Sequence, residues 1–467
     1  MRPLRITVVL RHLGQLAAVL LVLLTVPTGV AWLDADWALL ERLLLTALLP
    51  ALVLASGALI RPNTPVLQPN EALVISLLTF VIAAALMTLP LTTAGLVPLD
   101  AWFEAVSGVT TTGLSMLAKP ELQSDALLFA RAWMQWIGGL GIVVLSLALA
   151  YGRTGDLRQL ADATGDDDLE SGVRSHARRT LAVYLLLTTV GLVVVSAAGM
   201  PWPETPMHVL AAISTGGFAS AADSLSRVEQ PVRLALVAVA LCGGLPLQLW
   251  HRTWLRGPLE LLRDPELQAL FAAIAIVTAL LWLSAGLLPM DAFVQAAMAQ
   301  TTTGFSSVDV SALPDQAKLT LSLSMLTGAG VGSTAGGIKL LRLLILIRVI
   351  QLAVLRAQLP RHAVVYPCIG GRALEANQIQ QALLVMLLFL LLVAAAWLAF
   401  VAAGHVPLDA LFEVVSASAT VGLSSGITGP QLEPGLKLLL TLLMLAGRVE
   451  IVALLVLLYP ASWFGRA

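Results

Sequence analysis

Four times in this chain an acidic residue is followed, thirteen positions later, by a glycine inside a Thr/Ser/Gly-rich run: Asp100 with Gly113, Glu204 with Gly217, Asp291 with Gly304, and Asp409 with Gly422. The segments read VPLDAWFEAVSGVTTTGLS, PWPETPMHVLAAISTGGFAS, LPMDAFVQAAMAQTTTGFSS and VPLDALFEVVSASATVGLSS. A proline before the acid and the apolar positions between the anchors recur with them. Such self-similarity points to pseudo-fourfold construction, with each copy contributing one short amphipathic stretch and one irregular loop.

The surroundings of the repeats place them in a membrane. Of 467 residues, 58% are hydrophobic and 12% charged, with a mean hydropathy of +0.89, more apolar surface than a soluble core can hide. Windows long enough to cross about 30 Å of hydrocarbon as helices fall near residues 13–30, 38–60, 71–92, 127–150, 180–199, 231–250, 266–287, 318–350, 378–403 and 436–459. These predict an all-α polytopic membrane protein of about ten transmembrane helices. Arg2, Arg5 and Arg11 precede or open the first apolar run as in a secretory signal, but no small-residue cleavage site follows, so the run is read as a retained anchor helix.

Placement of Lys and Arg sets the expected orientation. Arg153, Arg158, Arg174, Arg178 and Arg179 fall in one polar linker, Arg252, Arg256 and Arg263 in a second, and Arg348, Arg356, Arg361 and Arg372 in a third. These linkers and the N-terminus belong inside, and the loops after the repeated glycines belong outside. Cys242 and Cys368 offer neither a disulfide framework nor a metal cluster.

On this topology each repeat is a spanning helix, a segment too short to span, an irregular loop and a second spanning helix. The boundaries are 1–66 for an extra N-terminal helix pair, 67–155 for repeat one, 156–262 for repeat two, 263–372 for repeat three and 373–467 for repeat four. A helix from Asp100 to Val109 is about 15 Å long at 1.5 Å per residue, enough to reach half-way into the bilayer. Asp100, Glu204, Asp291 and Asp409 are expected as its caps, accepting from orphaned amides at the positive end of the helix dipole. The negative end then faces the membrane centre, where a dehydrated cation is stabilised.

Irregular backbone at membrane depth must be buried in protein or line a wet cavity, so four such loops suggest one shared cavity. The candidate filter residues are Thr110, Thr111, Thr112 and Gly113; Ser214, Thr215, Gly216 and Gly217; Thr301, Thr302, Thr303 and Gly304; and Ala419, Thr420, Val421 and Gly422. Threonines offer hydroxyls, the backbone offers carbonyls, and glycine adopts angles that strain other residues. A single TTTG would be an ordinary turn; four in register favour a filter. None of the four runs contains a carboxylate, which argues for carbonyl coordination of a potassium-like ion rather than acidic rings for divalent cations. Glu104 and Glu413 recur at one offset in two repeats and are either structural or pore-mouth charges.

The third repeat carries a second glycine cluster, GAGVGSTAGGIK, holding Gly328, Gly330, Gly332, Ser333, Thr334, Ala335, Gly336, Gly337 and Lys339. Each glycine weakens a helix by about 1 kcal/mol relative to alanine, which predicts an unwound stretch on the inner side of the filter; close helix packing through small residues is the alternative. Arg448 lies inside the last apolar window, with Glu450 two positions on and so on a different helix face. It is either paired with another helix or a fixed charge below the filter.

These four segments, together with GSTAGGIKLLR, VVYPCIGGR and the final GRVEI, resemble the Trk/Ktr/HKT superfamily of potassium transporters over about residues 70–460. The two additional N-terminal spans are similar to the ten-span bacterial Trk-type subunit. The resemblance implies a potassium uptake subunit of the bacterial cytoplasmic membrane, with both termini cytoplasmic. It also implies a homodimer with a pore in each chain, assembled on a cytoplasmic NAD/ATP-binding regulatory subunit, with K⁺ as the transported ion and no cofactor of its own. By the same resemblance Gly113, Gly217, Gly304 and Gly422 are filter glycines, Gly328 to Lys339 is the intramembrane gating loop, and Arg448 faces it. Relatives with serine at the first filter glycine admit sodium, and Gly113 therefore favours potassium. No repeat has TVGYG, so selectivity is not graded from the residues alone.

The leading expectation is gated K⁺ translocation, either down the electrochemical gradient or coupled to H⁺. The alternatives are a Na⁺-permeable or Na⁺-coupled member of the same superfamily and, from another class, a polytopic membrane enzyme. The last is disfavoured because His12, His176, His208, His251, His362 and His405 are scattered, with none beside a candidate nucleophile in a repeated setting. Nothing in the composition points to nucleic acid.

Overall fold

The computed structural model describes residues 4–56, 68–153, 169–358, 367–449 and 451–464. Arg158, Arg361 and Glu450, and the expected boundaries at 66/67 and 155/156, lie outside the described residues. The fold is helical; among the described residues the strands are Cys368–Ile369 and Arg372–Ala373, an antiparallel hairpin turned by Gly370 and Gly371 at φ of +56° and +79°. It contains the described part of VVYPCIGGR.

Six helices have the length and composition to cross a membrane: Ile6–Leu33, Trp37–Ser56, Asn70–Ala94, Ala177–Ala197, Pro265–Ala285 and Ala376–Ala402. The window at 127–150 falls in the helix Asp125–Arg153. The three remaining windows are broken helices, where the sequence predicts continuous spans at 231–250 and 436–459 and an unwound stretch at the glycine cluster of the third repeat. Gln230–Gly244 ends at a glycine pair and Pro246, and the next helix, Leu247–Arg256, leaves at 92°. Asp315–Thr327 stops at Gly328 and Leu340–Gln358 resumes after the glycine-rich stretch. Pro434–Val449 is followed by a separate helix, Ile451–Leu458. Glycine and proline make helix continuation unfavourable at the first two breaks.

Burial is inverted relative to length. The long helix Trp37–Ser56 leaves Leu44, Leu45, Leu48, Leu49 and Leu52 exposed, as suits a surface that faces acyl chains. The short helices Pro98–Val109, Glu204–Ile213, Pro289–Gln300 and Pro407–Ser418 are enclosed in one apolar core through Phe103, Val209, Val294 and Phe412, which have no exposed surface. The core therefore surrounds the segments that carry the repeated motif and holds their loops at the centre.

Candidate functional site: a ring of four loops

Proline, with φ preset for a helix, occupies the first position of three of the short helices, and this displaces the acids from where the sequence places them. The N-cap residues are Val97, Leu288 and Val406, with Pro203 in the second segment. Asp100, Asp291, Asp409 and Glu204 lie in the first turn and make no side-chain capping bond. The cap assignment is thereby corrected, although the acids still face the positive end of the dipole. Three of them meet a cation supplied by the preceding repeat. Lys437 pairs with Asp100, Lys318 with Asp409 at 2.8 Å, and Arg233 with Asp291 at 3.2 Å. Glu204 instead accepts from Ser220 Oγ at 3.3 Å.

All four short helices end in the same way. The residue after the helix C-cap is a threonine in left-handed conformation: Thr111 at φ +54°, Thr215 at +53°, Thr302 at +55° and Thr420 at +50°. Its amide reaches back to Gly108, Ala212, Ala299 and Ala417, and the following amide reaches Ser107, Ala211, Met298 and Ser416. This is the double bond of a Schellman motif, whose left-handed position glycine normally occupies. A β-branched residue there is strained by about 1–3 kcal/mol. The hydroxyls of Thr111 and Thr420 are buried without a hydrogen-bond partner, and Thr302 Oγ1 accepts from the Gly336 amide at 2.8 Å.

The next glycines close a ring. A Cβ on Gly113 would lie 2.2 Å from the Gly216 carbonyl oxygen; on Gly217, 1.9 Å from that of Thr303; on Gly304, 1.8 Å from that of Val421; and on Gly422, 2.3 Å from that of Thr112. Each loop presses its glycine against the carbonyl of the following loop, and the fourth returns to the first. All four glycines have positive φ, between +70° and +98°. They line a single cavity of about 620 Å³ together with Ser115, Phe218, Ser306 and Ser424. At its rim the Ser311 hydroxyl and amide donate to Asp309 and hold that carboxyl below its usual range.

The position four residues after each acid packs on the arm that leaves a loop, its own in repeats one, three and four and that of loop three in repeat two. Glu104 accepts from Met116 N at 2.7 Å and Ser115 Oγ at 3.0 Å, and Arg131 Nε donates to it at 2.8 Å. Arg131 also lies 4.0 Å over the Phe218 ring. Glu413 accepts from Ser425 N at 2.9 Å and Thr428 Oγ1 at 2.8 Å. Gln295 donates to Ser306 Oγ, and His208 stacks on Phe305 at 5.7 Å. Glu104 and Glu413 are thus structural anchors, and Gln295 and His208, which the sequence reading did not group with them, occupy the same place. Also missed is Gln135, whose Nε2 donates to the Gly216 carbonyl at 2.6 Å and whose Oε1 accepts from Phe218 N at 3.1 Å.

The glycine-rich stretch is an unwound loop lying against the inner ends of the short helices. Thr334 Oγ1 donates to the Ile213 and Gly243 carbonyls at 3.1 and 3.0 Å, and Gly330 N to Gly244 O at 3.1 Å. A Cβ on Gly336 would meet the Ala419 carbonyl at 2.1 Å and Thr420 Oγ1 at 2.2 Å. Glu266 Oε2 accepts from Val331 N at 2.7 Å, Ser333 Oγ donates to Gly330 O at 2.6 Å, and Lys339 Nζ donates to the Ala335 carbonyl. The neck closes where Gly328 and Gly337 meet, a Cβ on Gly337 lying 3.0 Å from Gly328 Cα. Arg448 is buried. Its guanidinium donates to the Thr334 carbonyl of this loop and, at 2.9 Å, to the Gly138 carbonyl of the helix after the first loop. Together the loop and Arg448 touch all four repeats.

Comparison with known proteins extends to almost the whole chain. The TrkH family profile, described as cation transport protein, matches residues 68–264 and 278–463. The chain is 31% identical to the Trk system potassium uptake protein TrkI of Halomonas elongata, over 97% of this chain and 96% of that one. It is 30% identical to the Trk system potassium uptake protein TrkH of Escherichia coli strain K12, over 78% and 79%. The crystal structure of the potassium transporter TrkH from Vibrio parahaemolyticus superposes with a TM-score of 0.85 at 26% identity, covering 98% of this chain and all of that one.

Proposed function

Since this chain belongs to the TrkH family of cation transport proteins, we propose that it takes up potassium across the cytoplasmic membrane through the ring formed by its four loops. The observation that carries the reading is the closed circuit from Gly113 to Gly216, Gly217 to Thr303, Gly304 to Val421 and Gly422 to Thr112. Four carbonyls held edge to edge replace the hydration shell of a monovalent cation. The threonines at the left-handed position add hydroxyls, two of them buried and unpartnered at Thr111 and Thr420, which is where a partly dehydrated cation finds donors of the right polarity. Strain tolerated at four equivalent threonines is what a site demanding a hydroxyl there would retain. The negative ends of the four short helices converge on the same place.

The loop from Gly328 to Lys339 and Arg448 act as the gate. In the arrangement described the loop lies against the ends of the second, third and fourth short helices at Ile213, Thr302 and Ala419, with the Arg448 charge beside it, so both steric and electrostatic terms oppose passage. A gate is required because an inside-negative potential favours K⁺ entry by about 2.3 kcal/mol per 100 mV. The repeats divide at 67–155, 156–262, 263–372 and 373–467, the termini face the cytoplasm, and the chain acts as a homodimer within a Trk system. A cytoplasmic nucleotide-binding subunit docks on the basic linkers and moves the loop.

The test is tracer Rb⁺ uptake by the purified chain in liposomes, competed with K⁺, Na⁺ and Li⁺, with Gly113→Ser in parallel. Competition by K⁺ and not Na⁺, relaxed toward Na⁺ by the substitution, is the expected outcome. Uptake indifferent to both ion and substitution overturns the filter. A silent chain that is activated by a cytoplasmic regulatory subunit supports the gate.

A further inference from the structure

The second loop departs from the other three at one position. The residue before the ring glycine is Thr112, Thr303 and Val421 in loops one, three and four, and Gly216 in loop two. A Cβ added at Gly216 would lie 2.4 Å from Gln135 Cδ, 2.7 Å from its Oε1 and 2.8 Å from its Nε2. The carboxamide of Gln135 therefore fills the space that a side chain on loop two would need, from the helix that follows loop one.

Gln135 also spans the ring glycine of that loop. It donates to the Gly216 carbonyl on one side of Gly217 and accepts from the Phe218 amide on the other, and it is fully buried. Among the described residues the carbonyls of Thr112, Thr303 and Val421 receive no such hydrogen bond. Equivalent helix positions can be aligned on the glycines that pack against the last carbonyls of the short helices: Gly138 on Val109, Gly243 on Ile213, and Gly447 on Ser418. Three residues before them stand Gln135, Ala240 and Met444. Among these three positions the carboxamide stands on the first helix alone, and the residue before the ring glycine is a glycine in the loop it reaches.

We propose that Gln135 is a specificity-determining positioning residue, which tethers the loop-two carbonyl and fixes the width of the ring on that side; the proposal rests on the ring being the ion filter. Discrimination against a smaller cation requires that the carbonyls resist moving inward to meet it. Three carbonyls are braced by their neighbours' glycines alone, whereas the fourth, with no side chain on its own residue to wedge it, is braced by an amide donor. An N–H on that oxygen also weakens it as an ion ligand, so the ring is built with one strut and three ligands of fuller strength.

Gln135→Met keeps the length of the side chain and removes both hydrogen bonds. Its expected effect is a relaxation of K⁺ over Na⁺ discrimination by about fivefold, the scale of one buried hydrogen bond. Discrimination is read both as Na⁺ competition against Rb⁺ uptake in liposomes and as the difference in thermal stabilisation by K⁺ and Na⁺ in detergent, which needs no open gate. Gly216→Thr alone should lose monodisperse elution, because its side chain meets Gln135, and Gln135→Ala with Gly216→Thr should recover it with discrimination still relaxed. If Gln135→Met does not fold, the ratio in the folded double variant decides. Wild-type discrimination in either folded variant, alongside relaxation by Gly113→Ser, overturns the role of Gln135 and leaves the filter standing; wild-type discrimination in Gly113→Ser as well removes the filter itself.

Discussion

The ring of four loops and the tip of the glycine-rich loop beside it use glycine in opposite ways. In the ring, each glycine is fixed from outside: the Cβ positions at Gly113, Gly217, Gly304 and Gly422 lie 1.8–2.3 Å from a backbone carbonyl oxygen of the neighbouring loop. In the loop below, Gly328, Gly336 and Gly337 also meet backbone, but at the tip Gly332 has φ +78° with nothing within 4 Å of its Cβ position, and Gly330 meets the Pro246 ring and the end of the Glu266 side chain. Backbone on all sides makes a part that cannot move without its three neighbours. Open space and side-chain ends make a tip that moves alone. The filter proposed for the ring needs the first property and the gate proposed for the loop the second, and glycine would serve both.

The comparison breaks most sharply under a methyl group. Gly304→Ala places its Cβ on the Val421 oxygen, and no side chain is available to yield, so the ring itself must give, as in Gly113→Ser; K⁺ over Na⁺ discrimination should fall by roughly a hundredfold, read as Na⁺ competition against Rb⁺ uptake. Gly332→Ala carries a left-handed penalty of about 1–2 kcal/mol and no clash. It should remain folded and K⁺-selective, with a shifted open probability in bilayer recordings. Equal damage from the two substitutions would erase the distinction between a braced ring and a free loop.

The ring is also braced from behind, by cations that three of the repeats lend to the next. Lys437→Met strands Asp100 in the core without its partner and should destabilise the protein by about 3–5 kcal/mol, the scale for breaking a buried pair, measured as a fall in melting temperature. Lys437→Met combined with Asp100→Asn should recover most of that loss. A double variant as unstable as the single one would mean that Lys437 acts through the Pro430 carbonyl it also contacts.

Below the ring, Arg448→Gln removes a charged donor from the Thr334 and Gly138 carbonyls. At about 1.5–3 kcal/mol for a hydrogen bond to a charged group, open probability should rise roughly tenfold to a hundredfold, while the K⁺ to Na⁺ ratio stays at its wild-type value. A changed ratio with unchanged opening would place Arg448 in the ring's support instead of the gate.

What was legible in the chain follows the same division between local and distant causes. The thirteen-residue spacing exposed the ring glycines because each belongs to a local unit of helix and turn. The second loop residue, threonine in all four copies, stood in the sequence as well, but its left-handed conformation shows only when the helix end is seen to be a Schellman turn with threonine where glycine is expected. The acids look like caps in the sequence, but in three segments the proline two residues earlier already opens the helix, and in the second Pro203 itself is the N-cap. The brace residues were invisible for a different reason. Gln135 meets Gly216 across 81 positions and Lys437 meets Asp100 across 337, and no local periodicity encodes such partners. A trace existed in the cations, since Arg233, Lys318 and Lys437 follow their ring glycines by 16, 14 and 15 positions.

The smallest expected effect tests how loosely the lower loop is held. Glu266 sits in the first turn of the helix Pro265–Ala285 and accepts from the Val331 amide at the loop's tip. It is the side chain that touches the part with most open space around it. Glu266→Gln preserves the shape and an acceptor oxygen but gives up the charge, so the tether weakens by about 1 kcal/mol, the difference between a charged and a neutral acceptor. Open probability should rise about fivefold, less than for Arg448→Gln. The two effects should multiply when the variants are combined, because the residues hold different ends of the loop, Glu266 at Val331 and Arg448 at Thr334. Failure to multiply would show that tip and base release together, and that the loop moves as one rigid piece, in the manner of the ring above it.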